Sequence, residues 1–230
     1  MTTLVDLPRL ADRVLRGEPV GRASRPRATL AALALLVLVH GLCYGAAMGT
    51  FGGFTGERIW QVVYSAVKLP FMLLATFAIS LPSFFVLNTL FGLRDDFTRV
   101  IRALLVTQAG LTVILASLGP FTLFLYVQGI GYQQALVANG VMFAVSSASA
   151  QILLAREYEP LIRANPRHRT LLKVWLVVYV FVGIQMGWIL RPFLGDPQQP
   201  VQFFREGSFT NAYMVVIELA WNVLTGQARR

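Results

Sequence analysis

Residues 69–91 read LPFMLLATFAISLPSFFVLNTLF, a run of 23 residues without a charged side chain. An α-helix rises about 1.5 Å per residue, so this run is long enough to cross the hydrocarbon core of a bilayer, which is about 30 Å thick. Runs of similar length and character cover residues 28–49 and 170–190. The sequence therefore predicts an all-α fold, an integral membrane helix bundle.

The composition of the chain also indicates a membrane protein. Of the 230 residues, 56% are apolar and 13% are charged, whereas soluble domains carry about 25% charged residues. The net charge of +9 comes from basic residues placed in short segments between the apolar runs. This placement is typical of a membrane protein that fixes its orientation, and it does not favour nucleic-acid binding. Cys43 is the only cysteine, which excludes an intrachain disulfide.

The chain divides into two predicted regions, a cytoplasmic N-terminal arm (1–27) and a transmembrane helical domain (28–230). Within the arm, apolar residues recur at helical spacing and charged residues occupy the other side. This pattern predicts an amphipathic helix over residues 4–16 that lies on the membrane surface. A disordered arm is the alternative that the same residues leave open.

The transmembrane domain is predicted to contain five or six spans. An interfacial segment over residues 59–68 precedes the second span, and Pro82 predicts a kink in it near Ala78. Gly119-Pro120 is expected to end the third span, before an apolar loop that dips into the membrane. The five predicted spans cover residues 28–48, 69–91, 99–118, 133–154 and 170–190.

Residues 209–225 form either a sixth span or a helix lying on the membrane surface. The span is favoured because it would return Arg229 and Arg230 to the cytoplasm. Basic residues are also enriched before the first span, between the second and third spans, and between the fourth and fifth. The positive-inside rule therefore predicts a cytoplasmic N-terminus in the plasma membrane, the inner membrane of a bacterium.

Residue sets of known intramembrane enzymes are missing from the sequence. The two histidines, His40 and His168, are far apart, and there is neither a His-Glu-x-x-His nor a Gly-x-Ser-Gly motif. Asp95 and Asp96 are interpreted as part of a solvated loop. The sequence therefore predicts a protein that is not an enzyme, with no catalytic residue, metal site or cofactor.

Polar side chains inside the predicted spans are the candidate functional residues. They are interpreted mainly as hydrogen-bonding partners between helices, and the alternative is a pathway for a small solute or ion. Glu218 is the sharpest case, because a carboxylate in a span needs a partner or a proton, and His40 and Arg191 are its candidate partners. The residues in this set are His40, Asn88, Gln108, Asn139, Gln151, Gln185 and Glu218.

Two groups of glycines recur every four residues and predict close helix packing, because small residues let helix backbones approach in lipid. Gly41, Gly45 and Gly49 lie in the first span, and Gly183 and Gly187 lie in the fifth.

A segment rich in aromatic and basic residues follows the fifth span. It reads WILRPFLG at 188–195 and FFRE at 203–206. The favoured interpretation is a helix end with an ion pair between Arg191 and either Asp196 or Glu206, and a binding site is the alternative.

The stretches VKLP (67–70), LPSFFVLN (81–88) and WILRPFLG (188–195) resemble polytopic bacterial membrane proteins related to the Yip-domain family. The resemblance covers most of residues 60–200. It implies a five-helix bundle with a cytoplasmic N-terminal arm that acts through protein or lipid partners. The chain lacks the Asp-Leu-Tyr-Gly-Pro motif of the eukaryotic branch, so the resemblance implies neither a trafficking role nor a GTPase partner, and no functional residue is carried over.

Together these patterns predict a non-enzymatic inner-membrane protein that serves as a scaffold or partner-binding subunit of a membrane assembly. Its partners would be the lipid bilayer, anionic lipid head groups at the basic loops, and another membrane protein or a second copy of the chain. The alternative is a component of a transporter or channel for a small solute or an ion.

Overall fold

The computed structural model describes residues 6–20, 26–205 and 207–214. Six α-helices lie wholly within these residues, and no strand occurs among them. The all-α prediction is therefore confirmed for the described part of the chain. The helices are α1 (Leu7–Arg16), α2 (Pro26–Gly49), α3 (Ile59–Leu90), α4 (Phe97–Val127), α5 (Tyr132–Ala164) and α6 (Arg167–Ile189).

Five of these helices, α2 to α6, are long and apolar enough to cross a membrane. The chain is thus a multi-pass membrane helix bundle. α3, α4 and α5 contain 32, 31 and 33 residues, which corresponds to a length near 48 Å at about 1.5 Å per residue. Their ends therefore extend beyond a hydrocarbon core of about 30 Å. The predicted sixth span, residues 209–225, lies outside the described residues from residue 215 onward.

Three helices, α3, α4 and α5, are much longer than the spans that the sequence predicted. Residues 59–68 belong to α3 and do not form a separate interfacial segment, and α5 continues to Ala164. The predicted end of the third span at Gly119-Pro120 is wrong, because α4 passes through Pro120 and reaches Val127. Unpaired backbone groups are costly in lipid, so the chain stays helical there and tolerates a proline inside the helix.

α2 lies at the centre of the bundle, between α3 and α4. α6 packs mainly against α3, and α5 packs against α4. We call the end where α3 leads into α4 the basic end, and the opposite end, where α6 leads into residues 190–205, the loop end.

α2 and α3 approach very closely through the glycines of α2. A Cβ atom added to any of the three would fall closer to α3 than carbon atoms in contact normally lie, about 3.5–4.0 Å. The added Cβ would lie 2.9 Å from Pro70 Cβ at Gly41, 2.8 Å from Ala66 Cα at Gly45, and 2.7 Å from Val62 Cα at Gly49.

α1 is the amphipathic helix that the sequence predicted, but its apolar face contacts protein. Leu7, Ala11 and Val14 are buried in the same apolar core as residues of α2, α4 and α5. A Cβ atom added to Gly110 of α4 would lie 3.6 Å from Val14 Cγ1. The bundle itself buries this face, and the position of α1 at the membrane surface stays a prediction.

Candidate ligand-binding site

Polar residues at the start of α3 hold the segment that follows α6. Arg58, Gln61, Ser65 and Lys68 are spaced by three or four residues, so they share one face of the helix. Each of the four donates a hydrogen bond to a backbone carbonyl within residues 192–199. The loop end is therefore fixed in place by hydrogen bonds from α3.

Lys68 is a fully buried charged donor. Its Nζ donates to the carbonyl of Pro192 at 2.8 Å, and the same atom lies 4.7 Å from the centre of the Phe203 ring. Lys68 ends the interfacial segment predicted over residues 59–68, and that prediction is wrong because the residue lies within α3. The signal that could have revealed its role is the helical spacing of residues 58, 61, 65 and 68.

Gly195 allows the loop to lie directly on α3. A Cβ atom at this residue would come within 2.7 Å of Gln61 Cγ. Leu190 and Leu194 on either side of the turn are buried. The loop is thus packed as well as hydrogen-bonded, which gives the loop end a defined shape.

A cavity of about 440 Å³ lies between this loop and helices α2, α3 and α5. Its volume falls within the range of about 300–1,000 Å³ that is typical of small-molecule sites. Its walls are mostly apolar, and its charged groups both come from the loop. The lining residues are Met48, Met72, Tyr132, Leu136, Asn139, Gly140, Phe143, Arg191, Pro192, Phe193, Leu194 and Arg205.

The two arginines of the cavity are held side by side. The backbone N–H of Arg205 donates to the carbonyl of Arg191 at 3.3 Å, and the Arg191 guanidinium lies 3.4 Å above the Trp188 ring. Burial lowers the pKa of Arg191, and the nearby positive charge of Arg205 lowers it further. Arg191 Nε is buried without a hydrogen-bond partner.

The predicted ion pair of Arg191 with Asp196 does not form. Asp196 Oδ1 instead accepts a hydrogen bond from the backbone N–H of Gln198 at 2.9 Å. No ion pair joins Arg191 or Arg205 to a carboxylate of any described residue. Glu206, the other predicted partner, lies outside the described residues. The cavity therefore presents two positive charges without a described counter-charge.

Asn139 forms a fixed polar wall of the cavity. Its Oδ1 accepts a hydrogen bond from the Tyr44 hydroxyl at 3.0 Å, and its Nδ2 donates to the Tyr126 hydroxyl at 2.6 Å and to the Ala135 carbonyl at 2.7 Å. These bonds link α2, α4 and α5. Both polar atoms of the Asn139 amide are used in packing the bundle.

The other predicted polar residues lie apart from the cavity and from one another. Gln108 Nε2 donates to the Tyr179 hydroxyl at 2.9 Å and thereby joins α4 to α6. Gln185 bonds the backbone of residues 210 and 212 beside α6. The remaining described members bond within their own helix or are exposed, and they are His40, Asn88 and Gln151. Glu218 lies outside the described residues.

The glycines of α6 occupy a looser contact than those of α2. A Cβ atom at Gly183 would lie 3.6 Å from Thr76 Cγ2, and one at Gly187 would lie 3.8 Å from Met72 Sδ. Both are ordinary van der Waals distances. Glycine is therefore not required for the spacing of α6 and α3 at these two positions.

At the basic end, His168 and Asp96 form a contact that sequence reasoning missed. His168 is fully buried, its Nε2 lies 3.2 Å from Asp96 Oδ2, and its ring lies against that of Tyr158. The contact ties α6 to the start of α4. Asp96 is therefore not simply part of a solvated loop.

Comparisons with models of known protein families, with curated proteins and with solved structures find no match to this chain. The resemblance to the Yip-domain family therefore stays a prediction from the sequence.

Proposed function

We propose that this chain is a non-enzymatic, multi-pass protein of the bacterial plasma membrane that acts as a binding subunit, with the cavity at the loop end as its binding site. The observation that carries the proposal is the pair of Arg191 and Arg205, which project from a rigidly held loop into an apolar cavity without a described carboxylate partner. Charged groups near a membrane usually pair or mark a site.

The chemistry of the cavity supports binding more than catalysis. Guanidinium groups remain charged and donate hydrogen bonds in a fixed geometry, so they hold an anionic group well. A nucleophile with an adjacent base is what acyl or phosphoryl transfer would require. The described lining contains no carboxylate, histidine, serine or cysteine to supply such a pair.

The orientation we propose places the basic end in the cytoplasm and the loop end outside. The connection between α5 and α6 supports it, because Arg163, Arg167 and Arg169 cluster there within seven residues. By the positive-inside rule such a cluster stays on the cytoplasmic side.

The transport alternative has less support. A pathway needs polar groups that follow one another across the bundle. Asn139 and Gln108 are instead engaged in hydrogen bonds between helices, and among the described residues of the predicted polar set only Asn139 lines the cavity.

Extraction from native membranes in mild detergent tests the proposed function. A binding subunit should be recovered with a stoichiometric membrane partner, and Arg191→Gln combined with Arg205→Gln should lose the anionic ligand that the cavity holds. Arg169→Gln, which changes an exposed arginine at the basic end, is the matched control. Recovery of the wild-type chain alone, in every detergent that keeps it folded, would count against a role as a subunit of an assembly.

A further inference from the structure

The walls of the cavity at the loop end reach the surface of the bundle along α5. Leu136 and Gly140 line the cavity and are exposed, and both lie in a helix long and apolar enough to span a membrane. Residues 132–155 of α5 carry no charged side chain, so the exposed residues among them lie in the part of the helix that spans the bilayer. The cavity is therefore accessible from the bilayer.

The lining separates into a charged part and an apolar part. Arg191 and Arg205 stand on the loop, next to the end of the membrane-spanning helices. The side chains of Leu136 and Phe143 belong to α5 and continue down the same face of that helix. A ligand that fits both parts carries an anionic group at one end and hydrocarbon at the other.

The arginine pair is suited to a phosphate or a carboxylate. A guanidinium offers several N–H donors in one plane and binds such oxygen pairs with two parallel hydrogen bonds. Two guanidinium groups held close together repel each other, and a bound anion offsets this repulsion. Arg191 Nε is buried without a hydrogen-bond partner, so the protein leaves part of the donor capacity of this guanidinium unsatisfied.

We propose that the cavity binds one anionic lipid, whose head group contacts Arg191 and Arg205 and whose acyl chain lies against Leu136, Gly140 and Phe143 of α5. This inference rests on the proposed function, because it names the occupant of the same cavity. A soluble anion would use the arginines alone and would gain nothing from the apolar wall. A neutral lipid would leave two positive charges unpaired beside the membrane.

Gly140 provides the sharpest variant for a test. A Cβ atom at this position meets no atom within 4 Å, so a leucine side chain adds bulk at the cavity wall without a clash at its Cβ. Gly140→Leu should therefore fold, and it should block the acyl chain while leaving both arginines in place. Val137→Leu, on an exposed part of the same helix, is the control for added bulk.

The experiment is native mass spectrometry of the delipidated full chain in detergent micelles, titrated with phosphatidylglycerol or with phosphatidylcholine of identical acyl chains. The wild type should bind one phosphatidylglycerol at least about tenfold more tightly than phosphatidylcholine, as hydrogen bonds to charged groups imply. Arg191→Gln, Arg205→Gln and Gly140→Leu should each weaken this binding by about tenfold or more. Arg169→Gln and Val137→Leu should bind as the wild type does.

Three results would overturn the inference. Equal binding of the two lipids to the wild type would show only unspecific surface lipid. Unchanged phosphatidylglycerol binding by Gly140→Leu would show that the acyl chain lies elsewhere. Displacement of the lipid by glycerol phosphate at equal concentration would show a site for the head group alone.

The two proposals fail separately. If no protein partner is recovered from membranes while the cavity binds phosphatidylglycerol as described, the subunit role is wrong and the lipid inference stands. If a partner is recovered but the lipids bind equally, the lipid inference is wrong. Size-exclusion chromatography of each variant in lipid-free detergent checks folding, and Gly140→Leu alone decides the test if an arginine variant does not fold.

Discussion

Replacing Gly45 with alanine should force α2 and α3 apart. The added Cβ would lie 2.8 Å from Ala66 Cα, whereas carbon atoms in contact stay about 3.5–4.0 Å apart. The obstructing atoms belong to the backbone of α3 and cannot rotate away. The two helices must therefore separate by about 1 Å at this crossing.

The magnitude of the effect follows from two opposing contributions. Overpacking a well-packed site costs about 1–3 kcal/mol, and a backbone obstacle places Gly45 near the upper value. Alanine inside a helix stabilises the chain by about 1 kcal/mol relative to glycine. The free energy of unfolding of Gly45→Ala should therefore fall by about 2 kcal/mol.

Gly183→Ala is the matched control. Its Cβ would meet Thr76 Cγ2 at an ordinary 3.6 Å, so this variant should gain up to about 1 kcal/mol. Titration of the purified protein from mild detergent into sodium dodecyl sulfate, followed by tryptophan fluorescence, measures both. The two variants should differ by about 3 kcal/mol. Equal resistance of Gly45→Ala and Gly183→Ala to the denaturing detergent would show that the contact of α2 with α3 does not require glycine at residue 45.

Three further substitutions test the loop end, the cavity wall and α1. Lys68→Met leaves the Pro192 carbonyl without a hydrogen-bond donor, at a cost of about 1–3 kcal/mol. Amide hydrogen exchange over residues 190–205 should therefore be faster than in the control variant Lys173→Met. Equal exchange in the two variants would contradict the role given to Lys68. Asn139→Leu removes three hydrogen bonds, which are worth about 0.6 kcal/mol each in a membrane protein. The free energy of unfolding should therefore fall by about 2 kcal/mol. A stability equal to that of the wild type would show that these hydrogen bonds do not stabilise the bundle. Val14→Asp places a charge in a buried contact, so amide hydrogen exchange over residues 7–16 should become faster. Arg13→Asp, on the exposed face of α1, should leave this exchange unchanged. Equal exchange in both variants would mean that α1 does not pack against the bundle.

The spans themselves were predictable because their signal is large. Each of the five runs is long and apolar, and the cost of unpaired backbone in lipid leaves helices as the structure that fits them. The ends of α3 and α4 were not predictable by rules from soluble proteins. Pro120 would end a helix in water, but α4 continues through it in the bundle.

The candidate site was only partly accessible from the sequence. Arg191 stood out because it lies among aromatic residues after a span, and Asn139 because it lies within one. Their meeting in one cavity with Arg205 depends on how residues 190–205 fold back over α3. Helical spacing places residues within one helix, but it carries no information about which distant segment returns to cover it.

The burial of α1 illustrates the same limit. An amphipathic pattern shows that one face leaves water, and both a membrane surface and a protein surface satisfy it. In this chain Val14 is buried in the core shared by α2, α4 and α5 and lies beside Gly110, so a protein surface buries the apolar face of α1.

The proposed placement of the basic end inside and the loop end outside the plasma membrane is tested most directly by labelling single cysteines. Gln198 is exposed at the loop end and Arg163 is exposed at the basic end, so each is replaced by cysteine in a Cys43→Ala background. In right-side-out spheroplasts, a membrane-impermeant maleimide should label residue 198 at once and residue 163 only after lysis. Labelling of both residues before lysis, or of residue 163 alone, would contradict the account.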